Sequence, residues 1–157
     1  MGHTRDPAVT SRIMAAVKGK DSRAELMLRK RLWARGLRYR KHHAGLVGHP
    51  DIVFLAARVI VFVDGDFWHG NAWRLRGLAS LADLFPNRAD WWVRKIERTV
   101  QRDHEVTDAL AADGWLVIRV WESRILSEPD IVAAEVESLV RRIPRNGPKA
   151  PTGAGRR

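Results

Sequence analysis

The sequence contains no cysteine. Disulfides are therefore excluded, and so is any metal centre built on thiolates. No apolar run approaches the ~20 residues that a membrane-spanning helix needs; Val59–Val63 covers only five. There is no glycine-rich phosphate loop, no dinucleotide fingerprint and no internal repeat. Met1 to Arg12 carries charge without an apolar segment, so no secretory signal is read there. A cytoplasmic protein with no membrane association is the expectation. Acidic residues are also in deficit, with 18 Asp and Glu against 28 Lys and Arg, a formal charge of +10 over 157 residues. Such a balance favours a polyanionic partner, nucleic acid first.

Aromatic residues are distributed unevenly. One tyrosine and four phenylalanines accompany seven tryptophans, namely Trp33, Trp68, Trp73, Trp91, Trp92, Trp115 and Trp121. Some belong to a core. Others, near a nucleic-acid surface, can stack on bases or wedge between them.

The chain is long enough for one domain with a real core. Residues 1–9 are read as a flexible N-terminus, 10–143 as the domain and 144–157 as a basic disordered tail. A short helix capped by Thr10 or Ser11 runs through Val17. Ser22 caps a stronger helix, with Glu25 at capping-box spacing and Leu28 and Leu32 on one face. Gly36 ends it. Leu37 to His42 is read as a short strand, and Asp51–Leu55 and Arg58–Val63 as a hairpin whose second strand is central because it is apolar on both faces. Arg74 to Arg88, with Pro86, is read as a loop. A long helix follows from Asp90 to Ala112, with Trp92, Ile96, Thr99, Asp103, Val106 and Leu110 on one stripe. Trp115–Trp121 returns as a strand, and Pro129–Arg142 closes the domain as a helix. This order predicts an α/β fold with a mixed central sheet flanked by helices.

The candidate chemistry lies in Gly48-His49-Pro50-Asp51 and in Asp64-Gly65-Asp66-Phe67-Trp68-His69. Asp51 opens an apolar strand, either as a turn residue or as a carboxylate at a sheet edge that holds a divalent metal. Asp64 and Asp66 would share a face if the strand continued, with one or both near Asp51; the plainer alternative is an Asp-Gly turn. Hard oxygen donors of this kind suit Mg²⁺. His69 has the chemistry of a general base or acid, or is simply a loop histidine. Glu25 reaches toward the metal or serves only as a cap partner. Asp103 interrupts an apolar stripe and pairs with Arg102, Arg119 or a backbone group. Phe67 and Trp68 are awkward to bury together, which suits an exposed wedge. Lys18, Lys20, Arg23, Arg88, Arg94, Lys95 and Arg98 are candidate phosphate contacts. His49, His42 and His43 touch phosphate or are solvated.

Together these residues resemble the very-short-patch repair (Vsr) endonucleases. The likeness runs from about Thr10 to Leu139 and is carried by Thr10-Ser11-Arg12-Ile13-Met14, Asp21 to Glu25, Gly48-His49-Pro50-Asp51, Phe67-Trp68-His69, Lys95-Ile96, Arg102-Asp103, Gly114-Trp115 and Val120-Trp121-Glu122. The resemblance implies a restriction-endonuclease-like single domain. It also implies Mg²⁺-dependent nicking of double-stranded DNA 5′ to the thymine of a T:G mismatch, by a nucleoid-associated monomer that works alongside other mismatch-repair proteins. By the same resemblance, Asp51 and the Val63 carbonyl are metal ligands, Glu25 holds water of the metal, and His69 helps activate the attacking water. Arg12 and Met14 lie in the segment that grips DNA, and Met14, Phe67, Trp68 and Trp92 form or support the wedge.

The chain departs from the family pattern at three places. Asp64 stands where a histidine is usual, and an acid there could bind water of the metal. Asp66, Asn71, Trp73 and Ser123 occupy the positions of the structural zinc ligands, so no structural zinc is expected and Trp73 fills the space. Thr99 replaces a frequent asparagine. Two alternatives to strict T:G nicking follow: a related nicking endonuclease with relaxed or different specificity, and a weakly catalytic mismatch-binding protein.

Overall fold

The computed structural model describes residues 21–142. Arg12, Met14, Lys18, the short amino-terminal helix and the basic tail lie outside that range.

Helix α1 (Arg23–Ala34) is capped by Ser22, whose side chain accepts a hydrogen bond from Glu25 N. The reciprocal half of the expected capping box is displaced by one residue: Asp21 N, not Ser22 N, donates to Glu25 Oε2. Ala24, Leu28 and Leu32 are fully buried on the inner face of this helix, and each buried leucine contributes about 1.5–3 kcal/mol. Strand β1 is shorter than expected, only Arg40–Lys41, because pairing with β2 (Ile52–Phe54) covers just two positions. Strands β2 and β3 (Val59–Asp64) form the expected antiparallel hairpin, and β4 (Leu116–Trp121) joins β3 in parallel. The sheet order is β1-β2-β3-β4, so β3, apolar from Val59 to Val63, is an inner strand.

The segment 74–88 is more ordered than its proline suggests. Helix α2 (Ala72–Leu75) and a 3₁₀ turn (Leu81–Leu84) occupy its start and middle. Helix α3 (Ala89–Ala112) then provides the crossover that a parallel β3–β4 pair requires. A short helix α4 (Glu122–Ser127), absent from the sequence reading, precedes α5 (Pro129–Arg142). Among the described residues, no helix is long and apolar enough to cross a membrane.

The pleat divides the core. Ile52, Phe54, Val59 and Val61 face α1, α4 and α5, and pack with Leu28, Leu32, Ile125, Val132 and Val136. Val53, Ile60 and Phe62 face α3 and pack with Val106 and Leu110. By the same alternation Asp64, two residues beyond Phe62, emerges on the α3 face.

The turn that feeds Asp51 depends on Gly48. Its φ is +77°, and a Cβ there would lie 2.4 Å from Val106 Cγ1 on α3. Gly48→Ala is expected to destabilise the protein by about 1–3 kcal/mol through overpacking and left-handed strain. Thermal denaturation checks this, and an unchanged melting temperature would contradict it.

Candidate active site

A cleft of about 570 Å³ opens at the carboxyl end of β3, lined among others by Glu25, His49, Asp51, Val63, Asp64, Trp68, His69, Arg102, Asp103 and Arg119. A neighbouring cleft of about 680 Å³ shares Asp64, His69, Asp103 and Arg119 with it. Those four side chains form the wall between the two.

Asp51 precedes β2, and its Oδ2 accepts a 2.7 Å hydrogen bond from Val63 N on the neighbouring strand. This bond fixes the carboxylate against the end of β3. Burial pushes the Asp51 pKa up to about 7, against the pull of the Val63 N–H, and the facing Glu25 and Asp64 carboxyls push the same way. Glu25 is 3% exposed. It therefore does more than cap α1: it presents a buried carboxylate to the same cleft. Behind it, Arg29 and His42 approach Glu25 Oε2 at 3.9 and 3.7 Å. Both also bind Asp21, holding its carboxyl at about 2.

His69 sits in the loop after β3, where its N–H donates to Gly65 O at 3.1 Å. Its Nδ1 makes a short hydrogen bond with Asp103 Oδ2, and Asp64 Oδ1 lies 3.8 Å away. A carboxylate at Nδ1 fixes the proton there and leaves Nε2 as the free acceptor. Burial disfavours the imidazolium, but the Asp103 hydrogen bond and the Asp64 charge outweigh it and raise the His69 pKa. Asp103 pairs as its place in an apolar stripe predicts. Its partner in the site is the histidine, while Arg119 Nη1 lies 3.5 Å from its other oxygen.

Asp64 is buried, and its carboxylate is gripped by Arg119 Nη1 at 2.9 and 3.2 Å. Burial raises its pKa, opposed by His69 and Arg119. Asp66 does not share its face, because β3 ends at Asp64. Instead Asp66 accepts hydrogen bonds from Asn71 Nδ2 (2.7 Å), Ser123 Oγ (2.8 Å) and Ser123 N (2.9 Å). This polar knot ties the His69 loop to the start of α4. It joins three of the four positions compared with zinc ligands, so the link is polar rather than the apolar filling expected of Trp73, which is half-buried beneath Arg74.

Trp68 lines the cleft, and Phe67 and Trp92 pack around it. Phe67 meets Trp68 and Trp92 edge-on, with ring centroids 5.0 and 5.8 Å apart. Lys95 Nζ lies 5.3 Å from the Trp68 ring and 5.0 Å from the exposed Trp91 ring. Phe85, just after the 3₁₀ turn, stacks on Trp92 with ring centroids 5.2 Å apart. The wedge candidates are half-buried and buttress one another.

Among the described residues, two groups of acid and histidine side chains could hold a metal ion, Asp21–Glu25–His42 and Asp64–His69–Asp103. Each has an arginine against it, Arg29 and Arg119 respectively. Asp51, just before β2, and Glu25 on α1 face each other as a separate acidic pair, and two buried carboxyls, with no arginine on Asp51 among the described residues, are a donor set that fits a hard divalent cation.

A protein-family comparison matches residues 3–75 to the family described as DNA mismatch endonuclease Vsr. Among individual relatives, the type II nicking enzyme V.NmeDIP of Neisseria meningitidis serogroup C is 41% identical over 86% of this chain and 88% of its own. The type II nicking enzyme V.HpaIIP of Haemophilus parainfluenzae is 38% identical, over 80% and 86% respectively. The DNA mismatch endonuclease Vsr of Escherichia coli is 33% identical, over 78% of this chain and 74% of its own. The cleft's carboxylates and its histidine–aspartate pair thus sit in a chain that belongs to the Vsr family of nicking endonucleases, as a cysteine-free member with nuclease activity.

Proposed function

We propose that this protein is a Mg²⁺-dependent endonuclease that nicks duplex DNA 5′ to the thymine of a T:G mismatch and so initiates very-short-patch repair. The observation that carries the reading is the convergence of Asp51, Glu25 and the His69–Asp103 pair on one cleft that Trp68 also lines, with Lys95 over the Trp68 ring. Asp51, with the Val63 carbonyl beside it, would hold the cation. When bound, Mg²⁺ would neutralise charge on the scissile phosphate and on the leaving oxygen.

The protein's own groups divide the remaining work. His69 Nε2 takes a proton from the attacking water while Asp103 stabilises the imidazolium. The new P–O bond forms as the bond to the 3′ oxygen breaks, giving 5′-phosphate and 3′-hydroxyl ends. Glu25 orients water beside Asp51, and Asp64 adds its negative charge near the same Nδ1 of His69. Phe67, Trp68 and Trp92 press on the base stack, which yields more readily at a mismatch than at a sound pair. Lys95, with Arg12 and Lys18 from the amino-terminal segment, grips the backbone, and Met14 from that segment joins the wedge. The protein acts as a cytoplasmic monomer, and other mismatch-repair proteins process the nick.

The second reading, a nicking enzyme of relaxed specificity, is favoured by Asp64, which is committed to Arg119. Duplexes carrying T:G, T:A or C:G at one site separate the two. With Mg²⁺, strand-selective cuts at T:G alone are expected, and none by an Asp51→Ala variant. Equal cutting of all three duplexes would favour relaxed specificity. Mismatch binding without Asp51-dependent cleavage would reduce the protein to a binding module.

A further inference from the structure

Arg119 is one of the four side chains shared by the two clefts, and it makes contacts in several directions. It projects from β4 on the face shared by Phe62 and Asp64, with its guanidinium carbon 4.2 Å from the Phe62 ring centroid. Nη1 reaches both oxygens of Asp64. Nε donates to Thr107 Oγ1 at 2.9 Å, and Nη2 donates to the Asp103 carbonyl at 3.3 Å. Asp103 and Thr107 lie one turn apart on α3, so a single side chain from the sheet clamps the helix that carries the histidine's partner. The Asp103 carboxylate is thereby shared, Oδ2 toward His69 and Oδ1 toward Arg119.

We propose that Arg119 is a positioning residue for His69: by gripping Asp64 and α3 together it fixes the Asp103 carboxylate, and with it the Nδ1-protonated form and the orientation of the imidazole. The inference rests on the nuclease reading above for its consequence in catalysis, but not for its geometry. A lysine could not reproduce it, since only the planar guanidinium serves Asp64, Thr107 and Asp103 in separate directions. A purely structural ion pair would hold the fold without governing the imidazole.

The test uses the full chain and the variants Arg119→Met, Arg119→Gln and Arg119→Lys, with folding checked by circular dichroism. Nicking is measured in single turnover at saturating duplex and Mg²⁺. The maximal rate is expected to fall about tenfold to a hundredfold, the usual cost of removing a supporting partner, with half-saturation by DNA unchanged. Imidazole ¹⁵N spectra supply a readout independent of activity. At a pH high enough for the imidazole to be neutral, His69 in the parent should show protonated Nδ1 and unprotonated Nε2, whereas the Met and Gln variants should show averaged nitrogens. A folded Met or Gln variant with the parent's rate and spectrum overturns the proposal. So does failure of all three variants to fold, which assigns Arg119 to stability alone. If the parent cuts no duplex, the nuclease reading fails, while the spectra still decide the role of Arg119.

Discussion

Asp51→Asn is expected to abolish nicking and at the same time to stabilise the metal-free protein at about pH 8. The first effect follows from the loss of the charged ligand in the proposed mechanism. The second follows from burial. The Asp51 carboxyl has a pKa of about 7 in the fold against an ordinary value of 3.8, so between those limits the folded state keeps a proton that the unfolded chain has released. Stability from this group is fully present below the unfolded value and is lost as pH rises through the folded one. At full ionisation the loss is on the order of 4 kcal/mol. Asparagine removes it, yet its Oδ1 still accepts the Val63 N–H that anchors the side chain. Thermal denaturation without metal should place the variant on the order of 8–16 °C above the parent at about pH 8, with the gap closing toward about pH 4.

Mg²⁺ should reverse the order for the parent. A cation bound at Asp51 favours the ionised form, so it should raise the parent's melting temperature more at pH 8 than at pH 6, where protons compete for the same oxygens. The asparagine variant should gain nothing. An equal metal-induced rise in both proteins would remove Asp51 from the metal site and leave the Asp21–Glu25–His42 and Asp64–His69–Asp103 groups as the alternatives.

The sequence made the scaffold readable wherever periodicity or composition acted locally. Leu28 and Leu32 marked the inner face of α1, the unbroken apolar run of β3 marked the centre of the sheet, and Pro129 marked the start of α5. Helix α4 was missed because it starts directly after β4, at Glu122, with no side-chain cap. The site was legible as a set of residues more than as a set of contacts. His69 and Asp103 are 34 residues apart, and Asp64 and Arg119 are 55 apart. Their meeting is decided by the parallel register of β3 on β4 and by which face of α3 turns inward. Asp103 did carry a signal, an acid in an apolar stripe. Arg119 carried the matching one, a lone charge in an otherwise apolar strand. The polar knot at Asp66 depended on where β3 stops, a boundary that alternating residues do not define.

His69→Ala is expected to lower the single-turnover nicking rate by about 10²–10⁴-fold, the range for a lost general base, and Asp103→Asn should cost nearly as much. The reason for the second lies in Arg119. Its Nη1 is 3.5 Å from Asp103 Oδ1, so an asparagine at position 103 should turn its carbonyl oxygen toward the guanidinium and its NH₂ toward His69. Two donors cannot share that contact, and the imidazole must move its proton to Nε2, the atom that has to accept from water. The two substitutions should therefore be far from additive, the double variant being little slower than His69→Ala. Their pH profiles should differ in sign-specific ways. In the parent, at saturating Mg²⁺, activity should rise with pH through a value above the ordinary 6.5 of a histidine, because Asp103 and Asp64 outweigh burial in favouring the imidazolium. Asp103→Asn removes one of those charges, so any residual activity should rise at lower pH than in the parent. A parent-like rate in Asp103→Asn, or an unmoved pH profile, would mean that His69 does not act as the base through this pair.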